Sequence, residues 1–333
     1  SLRIGLGSFY RTVAYAVGRL TNLAVFDISN SRSIFKCFSD KRFPNLLVCT
    51  IPFMTNIISF LKGYPQIYYL HAIPCADGGL SFCLTSPTQS VSMPKLQCFA
   101  GPDHIACTVI PGSQVSDMTV YWLPDRSMKS SDCLVALARP KVDVVCLKNV
   151  MVGWDCGILL AIANHMPHVE HLEFQNLSDY KERELFISRI ESALCSLPQI
   201  KCINLFEGIL QTPKNYTENE ATQDAEFEAV RRWGDQSASL NFITFPSIMR
   251  WVRFGAKGTA WLPWLPTSIA TSVHSNCRWL FKTVVTVPDL PPIYASLAEY
   301  LAGLDGLLAV KTAINNGEDR PEFVLARAHE AMP

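Results

Sequence analysis

The sequence predicts an α/β fold: a solenoid on a curved parallel sheet of about nine or ten strands, with helices on its outer face. Three observations carry this. A short pattern, h-Pro-x-h-x-x-h-x-h with h apolar, stands at Met166-Pro167-His168-Val169 through Leu172 and Phe174. It returns at Leu197-Pro198-Gln199-Ile200 through Ile203 and Leu205. About nine copies follow one another at roughly 20 to 40 residues, the period range of solenoids. Segments of helical period lie between the copies, and a helix that returns the chain between strands makes those strands parallel.

The copies run in order. Residues 8–19 read as a helix with Phe9, Val13, Ala16 and Val17 on one face. Leu20 to Ile28 follows, with Thr21 in place of proline and Leu23, Phe26 and Ile28 apolar. A short helix or turn from Ser33 to Phe38 leads to Phe43-Pro44-Asn45-Leu46, Cys49 and Ile51. A helix over Met54–Lys62, closed by Gly63, precedes Tyr64-Pro65-Gln66-Ile67, Leu70 and Ala72. Residues 74–92 are rich in Gly, Ser, Thr and Pro and read as a loop or a partly ordered insertion. Met93-Pro94-Lys95-Leu96 continues to Phe99, Gly101–Gly112 reads as turn-rich, and a degenerate copy has Val115, Met118 and Val120.

A helix over Ser131–Ala138 leads to Arg139-Pro140-Lys141-Val142, Val145 and Leu147. The helix Asp155–His165, capped by Asp155, precedes the strand Val169–Phe174. Glu182–Cys195 is amphipathic through Leu185, Ile187, Ile190 and Leu194. The strand Ile200–Leu205, a polar loop over 208–224, the helix Ala225–Gln236 and the strand Leu240–Phe245 close the series. Residues 1–249 are thus the array. Over 250–285 the period breaks into a Trp-rich cap, with a hairpin from Arg250 to Leu262 around Gly255 and Gly258. Residues 286–333 hold a last helix, Ala295–Val310, and a tail.

Of 333 residues, 49% are hydrophobic and 17% charged, so a large core is expected and disorder is not. The net charge is zero, which argues against nucleic acid or an anionic membrane as partner. No apolar run reaches the length of a membrane span and no secretory signal is visible. Twelve cysteines contain no C-x-x-C pair, and Cys49, Cys146, Cys195 and Cys202 fall in apolar segments. Such cysteines read as buried thiols in a reducing, intracellular compartment, cytoplasm or nucleus. The chain begins at Ser1 and enters the repeats at once, as a fragment lacking an amino-terminal portion would.

Strand side chains alternate faces, so residues between the h positions point away from the helices. That outward row comprises Asp27, Thr50, His71, Asp117, Thr119, Cys146, His171, Glu173, Asn204 and Thr244. On a concave face they would meet a protein partner.

The pattern resembles a degenerate leucine-rich repeat. Pro94 to Pro102 with Ile110 to Ser116, and later Val230 to Gly234, Leu240 to Ser247, Trp251 to Arg253 and Ala260 to Pro263, are similar to the F-box and leucine-rich-repeat-like proteins of mushroom-forming fungi. The resemblance covers roughly residues 8–265 and implies a leucine-rich-repeat-like solenoid. In that family an amino-terminal F-box docks the Skp adaptor of a cullin ubiquitin ligase and the repeats select the substrate. This chain shows no F-box before its first repeat, so the resemblance implies the substrate-recognition region. The alternatives are a repeat scaffold without a ubiquitin link, and an enzyme with a pocket on the concave face.

Catalytic motifs are weak. Gly5-Leu6-Gly7 lacks the third glycine of a dinucleotide fingerprint, and neither a Walker A lysine motif nor a nucleophile elbow is present. His165, His168 and His171 lie close in sequence, but no cysteine pair completes a metal site. Nothing orients Cys156 toward His165 as a thiol nucleophile. Trp233, Trp251, Trp261 and Trp264 read as cap core. Asn176-Leu177-Ser178 and Asn215-Tyr216-Thr217 match the glycosylation sequon. No cofactor, metal or catalytic residue is implied.

Overall fold

The computed structural model describes residues 15–17, 19–20, 22–27, 43–52, 57–73, 90–122, 130–178, 183–208, 220–246, 250–254 and 260–263. The protein is an α/β chain in two compact units, Ser1–Gln199 and Ile200–Pro333. This division falls inside the array expected over 1–249, and the expected cap belongs to the second unit.

The proline pattern builds a turn before it builds a strand. Leu46 N donates to Phe43 O at 3.0 Å, Ile67 N to Tyr64 O at 3.2 Å, Leu96 N to Met93 O at 3.1 Å and Val169 N to Met166 O at 3.2 Å. Proline as the second turn residue presets the φ that such a turn needs. The residue after the turn opens the ladder to the preceding copy. Tyr68 N reaches Leu47 O at 2.9 Å, Gln97 N reaches Tyr68 O at 2.8 Å and Glu170 N reaches Val145 O at 2.9 Å.

Among the described residues of the first unit seven strands result: β1 (Val25–Asp27), β2 (Val48–Pro52), β3 (Tyr69–Ile73), β4 (Cys98–Pro102), β5 (Asp117–Tyr121), β6 (Cys146–Met151) and β7 (His171–Asn176). Each pairs in parallel with the next, in chain order. They start about two residues later than expected, because the second apolar position floors the turn. Leu46, Ile67, Leu96 and Val169 are nevertheless fully buried, as are Cys49, Leu70 and Phe174.

Helices α1 (Ile57–Leu61), α2 (Asp103–Val109), α3 (Ser130–Leu137), α4 (Cys156–His165) and α5 (Arg183–Leu194) return the chain. From α2 to α5 each packs beside the next, and α2 lies on β4 and β5. Ile57, Ile105, Leu134, Ile158 and Ile190 anchor them in the core. Asp155 caps α4 as expected: its side chain accepts from Gly157 N at 2.8 Å and Ile158 N at 3.3 Å. Asn149 is fully buried in β6. It accepts from Trp122 Nε1 at 2.9 Å and donates to Glu173 O at 3.2 Å.

The second unit holds β8 (Cys202–Glu207), α6 (Glu220–Gln236), β9 (Phe242–Thr244), β10 (Arg250–Phe254) and β11 (Ala260–Pro263). β8 and β9 are parallel. β10 then runs antiparallel to β9 and pairs with β11 as the expected hairpin. Trp233, Trp251 and Trp261 are buried there. α6 reaches β11 at Gly234, where an added Cβ would collide with the Trp261 indole.

Several expectations change. Residues 103–109 form α2 where turns were expected; extended Pro102 precedes the helix and Ile105, Ala106 and Val109 bury one face. The copy at Arg139 is displaced by two residues: Val144, Leu147, Asn149 and Met151 are buried while Val142 is exposed, so Pro140 marked the wrong frame. In α5 the buried face is Phe186, Ile190, Ala193 and Leu194, with Leu185 exposed. α6 begins at Glu220, inside the expected polar loop. Most of the 8–19 helix, the Ser33–Phe38 segment, the 74–89 loop, Trp264, the cap beyond 263, the helix Ala295–Val310 and the tail lie outside the described residues.

Two substitutions test this packing. Asn149→Ala strands the Trp122 indole N–H and the Glu173 carbonyl, and should cost about 2–3 kcal/mol in urea denaturation. Gly234→Ala adds helix propensity worth about 1 kcal/mol, yet the collision with Trp261 should leave a net loss of about 1–3 kcal/mol.

Candidate functional site

Parallel register turns strand alternation into rows. Asp27, Thr50, His71, Ala100, Thr119, Lys148 and Glu173 align across the seven strands of the first unit. A second row, two residues earlier on each strand, is Val25, Val48, Tyr69, Cys98, Asp117, Cys146 and His171. All fourteen are half-buried or exposed, while the positions between the two rows are buried. At strand spacing each row spans on the order of 30 Å.

Five expected residues, Asp27, Thr50, His71, Thr119 and Glu173, therefore share one row; Asp117, Cys146 and His171 share the other. Asn204 and Thr244 are register partners in the second unit. Thr244 departs from expectation. It is 3% exposed, and Arg250 Nε of the antiparallel neighbour donates to its Oγ1 at 3.4 Å. The alternation there is cut short, with Ile243, Thr244 and Phe245 all buried and Phe242 exposed. Asn204 is half-buried, and its Oδ1 is buried with no hydrogen-bond partner among the described residues.

Sequence reading missed Lys148, Tyr69, Tyr121 and Cys98. Lys148 was lost because the strand was ended at Leu147, whereas β6 continues to Met151. Its Nζ lies 2.6 Å from Glu173 Oε1, on the adjacent strand of the same row. His71 Nε2 and Tyr121 Oη meet at 2.9 Å. Their strands, β3 and β5, flank β4, whose Ala100 pairs with His71 and whose Pro102 pairs with Tyr121. The short Ala100 side chain leaves the space in which the two longer ones reach each other.

Burial and neighbouring charge tune this face. Burial pushes the His71 imidazole below its ordinary value, and Asp27 acts weakly in the opposite sense. Burial, then Tyr69, raises the Tyr121 phenol. Cys98 and Cys146 flank Asp117 in their row, and both thiols are raised, first by burial and then by Asp117. A raised thiol is held protonated, the opposite of what a nucleophile needs.

The remaining sequence candidates do not converge. His165, His168 and His171 are all exposed, and among the described residues no group of three His, Cys, Asp or Glu is placed to hold a metal ion. Asn176 of the first sequon is fully buried. Its Oδ1 accepts from Gly153 N at 2.8 Å and from Ser178 N and Oγ at 3.0 Å, so the folded chain offers no acceptor there. Among the described residues no helix is long and apolar enough to cross a membrane. Comparison with protein families, curated proteins and solved structures gives no match.

The lowered His71 pKa sets a pH dependence. The unfolded imidazole binds its proton more readily than the folded one, so stability is full above the ordinary histidine value and falls as pH drops through it. Urea midpoints should decline as pH falls through and below about 6.5, the ordinary histidine value, and His71→Gln should flatten part of that decline. An identical decline in both proteins would remove His71 from the cause.

Proposed function

We propose that the chain is a non-enzymatic, leucine-rich-repeat-like solenoid that binds a protein partner through the outward face of its sheet. The resemblance in sequence makes it the substrate-recognition region of an F-box receptor of a cullin ubiquitin ligase. The observation that carries the binding role is the pair of registered rows. They present carboxylates, an ammonium, hydroxyls, imidazoles and a tyrosine on a backbone fixed by parallel pairing. Such a face suits the mixed, near-neutral surface of a folded protein, with tyrosine able to supply contact area. The raised Cys98 and Cys146 thiols favour binding over thiol catalysis on the same surface.

The test uses the product of the complete gene as bait in cell extract, beside a variant carrying Thr119→Arg and Lys148→Glu. Both positions are half-buried and Lys148→Glu sets a second carboxylate beside Glu173, so the melting of each bait is measured first and retention is compared between folded baits. Retained partners should weaken at least tenfold, about 1.4 kcal/mol. Equal retention by both baits would refute the face as the binding site. Co-purification of the Skp adaptor and a cullin supports the receptor reading. A folded bait that recovers neither is a scaffold without a ubiquitin link.

A further inference from the structure

Helices α2 and α3 pack side by side, and each carries a cysteine toward the other. Cys107 Sγ lies 2.7 Å from Cys133 Sγ. The Cys107 sulfur also approaches Cys133 O at 3.8 Å, and the Cys133 sulfur approaches Asp103 O at 3.7 Å, so both sulfurs are held between the same two helix segments. No bond joins the two sulfurs. Their separation exceeds the bonding distance of about 2.05 Å by less than about 1 Å. Cys133 is 3% exposed, whereas Cys107 is half-buried.

We propose that Cys107 and Cys133 are a reversible redox pair, closed to a disulfide by exchange with a small-molecule disulfide of the glutathione class. The difference in burial sets the order of events. Cys107 gives up its proton, and its sulfur attacks one sulfur of the small disulfide. The first small thiolate leaves and takes up that proton. Cys133, shielded from solvent but next to the mixed disulfide, then loses its proton. Its sulfur attacks Cys107 Sγ and expels the second small thiol, protonated. Two cysteine thiols have lost two electrons and two protons; the small disulfide has gained both and departs as two thiols. The bond ties α2, which follows β4, to α3, which precedes β6, and so fastens the helical layer behind three consecutive strands. A reducing poise leaves the two helices joined by packing alone.

The whole chain is equilibrated in glutathione buffers of graded ratio, quenched with an alkylating agent and mapped as peptides without reduction. The expected result is a peptide joining Cys107 to Cys133 that grows with the oxidised fraction and disappears with excess thiol. The oxidised chain should melt higher by on the order of 5–10 °C, the scale of closing a loop of this size. Cys133→Ala should stop Cys107 at the glutathione adduct, whereas Cys107→Ser should leave Cys133 without an adduct. Should either variant fail to fold, the wild-type map still decides. Two results overturn the proposal: both wild-type cysteines alkylated in fully oxidised glutathione, or wild-type Cys107 resting as the glutathione adduct.

Discussion

Four copies of the sequence pattern, those at Phe43, Tyr64, Met93 and Met166, depend on a backbone hydrogen bond that closes a four-residue turn. The bond is short-range: one amide, one carbonyl three residues back, and a proline that removes part of the conformational cost. It fixes which residue first donates to the previous copy, as Tyr68 does to Leu47 and Gln97 to Tyr68. Side chains alternate with period two, so a slip of one residue at that point would send Leu70 or Phe99 outward and His71 or Ala100 into the core. The outward rows and the core are thus set together by the same turn.

The two faces of the sheet inherit this phase. Below, one apolar stripe per helix covers the buried strand positions, from Ile105 in α2 to Ile190 in α5. Above, the two rows carry functional groups whose spacing is the inter-strand distance rather than a choice of rotamer. The His71–Tyr121 contact shows how a row acquires relief: one alanine in β4 lets side chains from β3 and β5 meet across it.

The strand series was legible because its signal is local and repeated. Phe43-Pro44-Asn45-Leu46 and Met166-Pro167-His168-Val169 each state a turn and the phase of the strand that the turn launches. Reading failed where the signal was split between distant elements or where one residue has two uses. Pro102 reads as a breaker, yet an extended proline directly before a helix start is favourable, so α2 was missed. Glu220 to Asp224 has no apolar period, so the start of α6 was not visible. Pro140 lies two residues ahead of the phase its copy keeps, which hid Asn149 as a core residue. Thr244 was misplaced because its covering partner, Arg250, arrives from an antiparallel strand that alternation cannot foresee. Cys107 and Cys133 meet through packing between helices, and no sequence spacing announces it.

Asn149 has a consequence for cooperativity. Repeat arrays are commonly treated as units coupled only to their neighbours, so that unfolding can begin at an end and advance one unit at a time. The Asn149 side chain joins the indole that follows β5 to the backbone of β7, while itself belonging to β6. Three successive strands thereby share one buried polar link, and opening the middle strand exposes unsatisfied groups on both sides of it. The segment from β5 to β7 should open as a single foldon, with copies near the amino-terminal edge, such as β1 with its exposed Val25 and Asp27, exchanging their amide protons sooner.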